Sequence, residues 1–66
     1  MNRIIAILID RDGLSEGDAR LALDAATDRL HQGHDPEEIL LDEFGLEADY
    51  VVDLIGNMMF LKHQAY

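Results

Sequence analysis

The chain has no cysteine and no tryptophan, a single proline, a single lysine and only four aromatic residues in sixty-six. Without cysteine there is neither a disulfide nor a thiolate metal site, and a reducing cytoplasm is the compartment that fits. Long apolar runs are also missing. The two that exist, Ile4 to Ile9 and Met58 to Leu61, fall far short of the ~20 residues that span a bilayer, and Met-Asn-Arg-Ile lacks the cleavage site of a secretory signal. The expectation is a cytoplasmic chain with no membrane partner. Basic residues are scarce too: all fourteen carboxylates lie between Asp10 and Asp53 against Arg11, Arg20 and Arg29, so that segment carries −11 and the whole chain −9. A field of that sign repels phosphate backbones and lipid headgroups and steers basic surfaces inward, which argues against direct nucleic-acid binding. A surface tuned for solubility, adaptation to high salt and chance in a short chain are three plainer readings of the same charge.

What is present is punctuation for helices. Asp35 is placed to cap a helix opened by Pro36, and Gly45 to end it in the left-handed conformation after Phe44. A second helix starts at once, with Glu47 and Asp49 in its first turn, where the helix dipole favours negative charge. Its apolar series is Tyr50, Val51, Leu54, Ile55 and Met58. These signals predict a helix-turn-helix corner over residues 36–62. Upstream, Ser15 is an N-cap for a helix running to Gln32, with Gly33 as its stop and a small-residue face of Ala19, Leu23, Ala26 and Leu30. The run from Asn2 to Asp10 suits a strand or a helix. Helix is favoured because no other segment reads as a strand to pair with it, and it would bury Ile4, Ile5, Leu8 and Ile9. In the third helix the inward positions are read as Leu40, Leu41 and Phe44, and Gly56 in the fourth is read as a place where another backbone passes close by. The fold class expected is therefore all-α, one domain over residues 1–66, a bundle of three to four short helices.

So short a chain buries only ~60% of the surface its unfolded form exposes, and association is its remaining route to more. Two apolar runs exceed one helical face each, so a homodimer is expected, with Ile5, Ile9, Met58, Met59 and Phe60 at the self-association surface.

Motifs that carry chemistry are weak. Aligning Asp10-Arg-Asp-Gly13 on a calcium loop puts Leu8 at the first ligand position and Ala19 at the twelfth. His31, His34 and Asp35 offer three ligands, but Gly33 breaks the helix that would align the imidazoles. Ser15 is explained as a cap without invoking a nucleophile. The corner at 36–62 places Glu47, Asp49 and Asp53 where a DNA reader carries Arg, Asn or Gln. No catalytic residue, cofactor or metal is assigned, and the chain is not read as an enzyme.

Three phrases, Arg-Asp-Gly-Leu-Ser at 11–15, Asp-Pro-Glu-Glu-Ile-Leu at 35–40 and Phe-Gly-Leu-Glu-Ala-Asp-Tyr-Val-Val-Asp-Leu at 44–54, resemble those of small acidic helical proteins of unknown function encoded in bacteriophage and prophage genomes. The resemblance covers most of residues 3–55 and rests on capping and turn phrases. It implies no activity. It implies a setting in which short acidic proteins bind a host or defence protein and block it, some by resembling DNA in charge. The expectation is a non-enzymatic protein-binding module whose Asp24, Asp28, Glu37, Glu38, Asp42, Glu43, Asp49 and Asp53 meet a basic surface. The rival is a structural homodimerisation module in which the apolar terminal helices are the working surface.

Overall fold

Each cap that the sequence advertises is made. A computed structural model describes the backbone of residues 2–64 and the side chains of residues 2–58. Helix α1 (Arg3–Asp12) opens with the Asn2 side chain accepting the Ile4 N–H and closes on Gly13 at φ +72°. Helix α2 (Glu16–His31) opens with Ser15 accepting the Asp18 N–H. Helix α3 (Pro36–Ile39) opens with Asp35 accepting from Glu37. It continues directly into a π-helical turn (Leu40–Phe44) that ends on Gly45 at φ +66°. A single 3-10 turn (Ala48–Tyr50) leads into α4 (Val51–Gln64). All regular structure among the described residues is helical, so the run that follows Asn2 is a helix and not a strand.

The core is one cluster built from every helix: Ile4, Ile5 and Leu8 of α1, Ala19, Leu23 and Ala26 of α2, Ile39 of α3, Leu40 and Phe44 of the π turn, and Leu54 of α4. Small residues at 19 and 26 let α4 and α1 approach α2, which sits at the centre of the packing. Ile5 is 2% exposed, so it belongs to the chain's own core and is withdrawn from the expected self-association surface. Ile9 and Met58 are half-buried. Met59 and Phe60 lie outside the described side chains.

Two expectations about α3 and α4 need correcting. Ile39, Leu40 and Phe44 are buried, whereas Leu41 is 66% exposed. The reason is the π turn: i→i+5 bonding returns residue 44 above residue 39, whereas α-helical spacing would carry it well around the axis. Phe44 thereby joins Ile39 and Leu40 on one face, and Leu41 is turned outward. At Gly56, a Cβ would meet nothing within 4 Å among the described residues, and no described backbone approaches there.

Candidate interaction surface

The expected acidic residues divide into those spent inside the molecule and those left facing water. Asp53 is spent. Its Oδ2 accepts the Arg3 backbone N–H at 2.7 Å, and its Oδ1 accepts from Arg3 Nη2 at 2.9 Å and Nε at 3.1 Å. The carboxylate thus caps α1, taking one N–H that the first turn leaves free, while Asn2 Oδ1 takes the next at 2.8 Å. The Arg3 hydrogen bond holds the Asp53 carboxyl below the usual carboxylate range, against an opposing effect of burial. Arg3 also donates to the Asp49 carbonyl at 3.0 Å, and its guanidinium lies 4.8 Å from the Tyr50 ring centroid. With Asn2 Nδ2 donating to the Asp53 carbonyl at 2.8 Å, these contacts lock the start of α1 to the start of α4.

Asp24 is spent as well. Its half-buried carboxylate accepts from Asn57 Nδ2 at 3.2 Å, and the same amide nitrogen donates to Thr27 Oγ1 at 2.8 Å. Thr27 in turn gives its hydroxyl hydrogen to the Leu23 carbonyl at 2.8 Å, so it can only accept from Asn57. This chain fixes the Asn57 amide with nitrogen toward α2. Asp24, four residues before Asp28 on α2, is thus held by an amide of α4.

The remaining acids form the surface. Asp28, Glu37, Glu38, Asp42, Glu43 and Asp49 are exposed. Arg29 of α2 reaches Glu43 at 2.8 Å and Asp42 at 3.8 Å, which pins the π turn to α2 and leaves both carboxylates partly accessible. Asp28, Glu37, Glu38 and Asp49 have no ion pair among the described residues. Asp35 and Glu47, which the sequence reading had used only for capping, are exposed in the same stretch. Residues 35–49 therefore present seven exposed carboxylates, and no Lys or Arg occurs from Leu30 to Leu61. Elsewhere Arg11 pairs with its neighbour Asp12 at 2.8 Å, and Arg20 lies 3.6 Å from Glu16.

Chemistry-bearing constellations are sparse. Among the described residues no group of three or more His, Asp or Glu side chains is placed to hold a metal ion. A groove of about 220 Å³ is lined by Asn2, Ile5, Arg20, Gly56 and Asn57, below the ~300 Å³ at which small-molecule sites begin. No helix among the described residues is long and apolar enough to cross a membrane.

Asn57 and Thr27 were missed by the sequence reading. Thr27 follows Ala26 on the small-residue face and Asn57 falls three residues after Leu54, so helical spacing from known core positions was the signal available. No protein-family model matches the chain, and neither a curated protein nor a solved structure is significantly similar to it.

Proposed function

We propose that the chain is a non-enzymatic binding module that docks the carboxylates of its helix-turn-helix corner, residues 36–62, on a basic surface of another protein. The observation that carries this reading is the run of seven exposed acids from Asp35 to Asp49, whose only ion-pair partner among the described residues is the shared Arg29. A surface kept only for solubility gains from interspersing both signs, which lowers self-repulsion; this one concentrates a single sign on consecutive elements. The resemblance to phage-encoded acidic proteins adds a host or defence protein as the partner, met in the cytoplasm. Asp28 extends the docking face from the end of α2, while Asp24 and Asp53 support it from beneath by holding α2, α1 and α4 together.

The test is capture from a host lysate by the immobilised chain at low and high salt, followed by kinetics with the purified partner. Glu37→Lys with Glu38→Lys is expected to slow association while leaving far-ultraviolet circular dichroism unchanged, because both side chains face solvent. A partner whose affinity ignores this reversal and a rise to ~0.15 M salt, where exposed charges reach only about 8 Å, defeats the reading.

A second reading, self-association into a homodimer, is favoured by Val52, a large apolar side chain that is 75% exposed on α4.

A further inference from the structure

Leu41 is exposed for a reason that lies in the backbone. Of the three large apolar side chains exposed among the described residues, Leu21, Leu41 and Val52, it alone stands on a π turn. An ordinary α-helix through Leu40 and Phe44 would carry residue 41 only about 60° around the axis from residue 44, at the edge of the buried face. The π turn moves it away from that face and leaves it 66% exposed. Turns of this kind are rare and concentrate at functional sites.

The surrounding charge selects the occupant. Glu37 and Glu38 precede Leu41 by four and three residues, the spacing of neighbours on a helix surface, and Asp42 follows it directly; all three are exposed. Glu37 and Glu38 have no ion pair among the described residues, and Asp42 shares Arg29 with Glu43. Anionic lipid and nucleic acid are repelled from such a setting, and a second copy of the chain brings a charge of −9 of its own. A neutral apolar surface that covered Leu41 would strip water from these carboxylates and pair none of them. A surface that sets cations beside an apolar strip meets both demands. The other two exposed apolar residues stand elsewhere: Leu21 follows Arg20, and Val52 precedes Asp53, whose carboxylate is taken by Arg3.

We propose that Leu41 is the apolar anchor of the acidic docking face, and that its occupant is an amphipathic basic segment of another protein, apolar along one side and bordered there by Lys or Arg. The inference rests on the docking reading above and adds an apolar contact to it. Charge brings the partner in, and the leucine, once shielded from water, holds it by slowing dissociation.

A pair of synthetic peptides of equal length and charge separates the two contributions. One is a helix with Leu along one side and Lys at its borders, and the other has every Leu replaced by Gln. Each carries a fluorophore, and binding to the full-length chain is read by anisotropy at low salt. The Leu/Lys peptide is expected to bind at least about tenfold more tightly than the Gln/Lys peptide. Leu41→Ala is expected to weaken the Leu/Lys peptide about tenfold, mainly through faster dissociation, and to leave the Gln/Lys peptide unchanged. Val52→Ala, at a site 75% exposed on α4, should change neither. Circular dichroism of Leu41→Ala should match the wild type, because the side chain it removes faces solvent. Equal affinities for the two peptides, or a loss in Leu41→Ala no larger than in Val52→Ala, overturns the anchor and leaves the acidic docking face standing. A wild-type chain that binds neither peptide overturns the anchor and the docking face together.

Discussion

Asn57 of α4 donates its amide nitrogen to Thr27 Oγ1 of α2 at 2.8 Å, and both residues are buried, at 8% and 0% exposure. The same amide also reaches Asp24 of α2, and every donor in this network is used: Asn57 on Thr27 and Asp24, Thr27 on the Leu23 carbonyl. A buried network of this kind strengthens uniqueness of packing only while complete, because a donor left without an acceptor keeps its full desolvation cost.

Thr27→Val is therefore expected to cost about 1–3 kcal/mol, since it keeps the shape and removes the acceptor for the Asn57 amide. Pairing it with Asn57→Leu should restore part of the loss, because the orphaned group disappears. Urea unfolding followed by circular dichroism at one fixed protein concentration checks this. A single substitution no worse than the double would show that the network contributes nothing beyond its volume.

Acid should loosen the α1–α4 clamp first. The folded-state pKa of Asp53 is depressed, chiefly by the Arg3 hydrogen bond, so its contribution is fully present above the unfolded value, ~3.9, and is lost as pH falls through the lower folded value. Asp53→Asn removes that pH dependence while keeping an acceptor for the Arg3 N–H. The expected outcome is a lower stability at neutral pH and a shallower fall of stability below pH ~4 than in the wild type. Thermal midpoints between pH 2 and 7 measure it, and parallel acid limbs in the two proteins would contradict it.

Caps and stops were legible in the sequence because they act within four residues. Ser15, Asp35, Gly33 and Gly45 all do in the structure what their local chemistry dictates. The face of the third helix was misjudged at Leu41 because helical period is assumed to be 3.6, and nothing in Leu-Leu-Asp-Glu-Phe announces a π turn. Asp24 and Asp53 illustrate the other limit. Charge counted along a chain treats every carboxylate as part of the outer field, whereas partners 33 and 50 residues away, Asn57 and Arg3, bind these two. The groove-side openness of Gly56 was likewise out of reach, since a glycine in sequence says only that a side chain is absent.

The π turn makes a sharp contrast between two neighbours. Phe44→Ala is expected to cost about 3–5 kcal/mol, enough to unfold a domain this small, because it opens a cavity between Ile39, Leu40 and the rest of the core. Leu41→Ala, three residues earlier, should stay within about 0.5 kcal/mol. Were the segment an ordinary α-helix in solution, the two costs would draw together, and unfolding free energies of the pair would reveal it.

Asp28 is where stability and docking should pull in opposite directions. It sits in the last turn of α2, where the carbonyl end of the helix dipole disfavours negative charge, and it lies four residues after Asp24 on the same helix. Both effects make an exposed carboxylate there unfavourable to the folded chain. Asp28→Lys replaces repulsion with attraction on both counts and is expected to raise stability by about 0.5–1 kcal/mol, read from denaturant midpoints at low salt. The gain should shrink as salt is added, because the side chain is exposed. If the acids of α2 and α3 meet a basic partner, the same substitution should lower its association rate, with little change in the lifetime of the complex once formed. A variant that is more stable and binds as fast as the wild type would remove Asp28 from the docking face, leaving the carboxylates from Asp35 to Asp49 to account for any steering that remains.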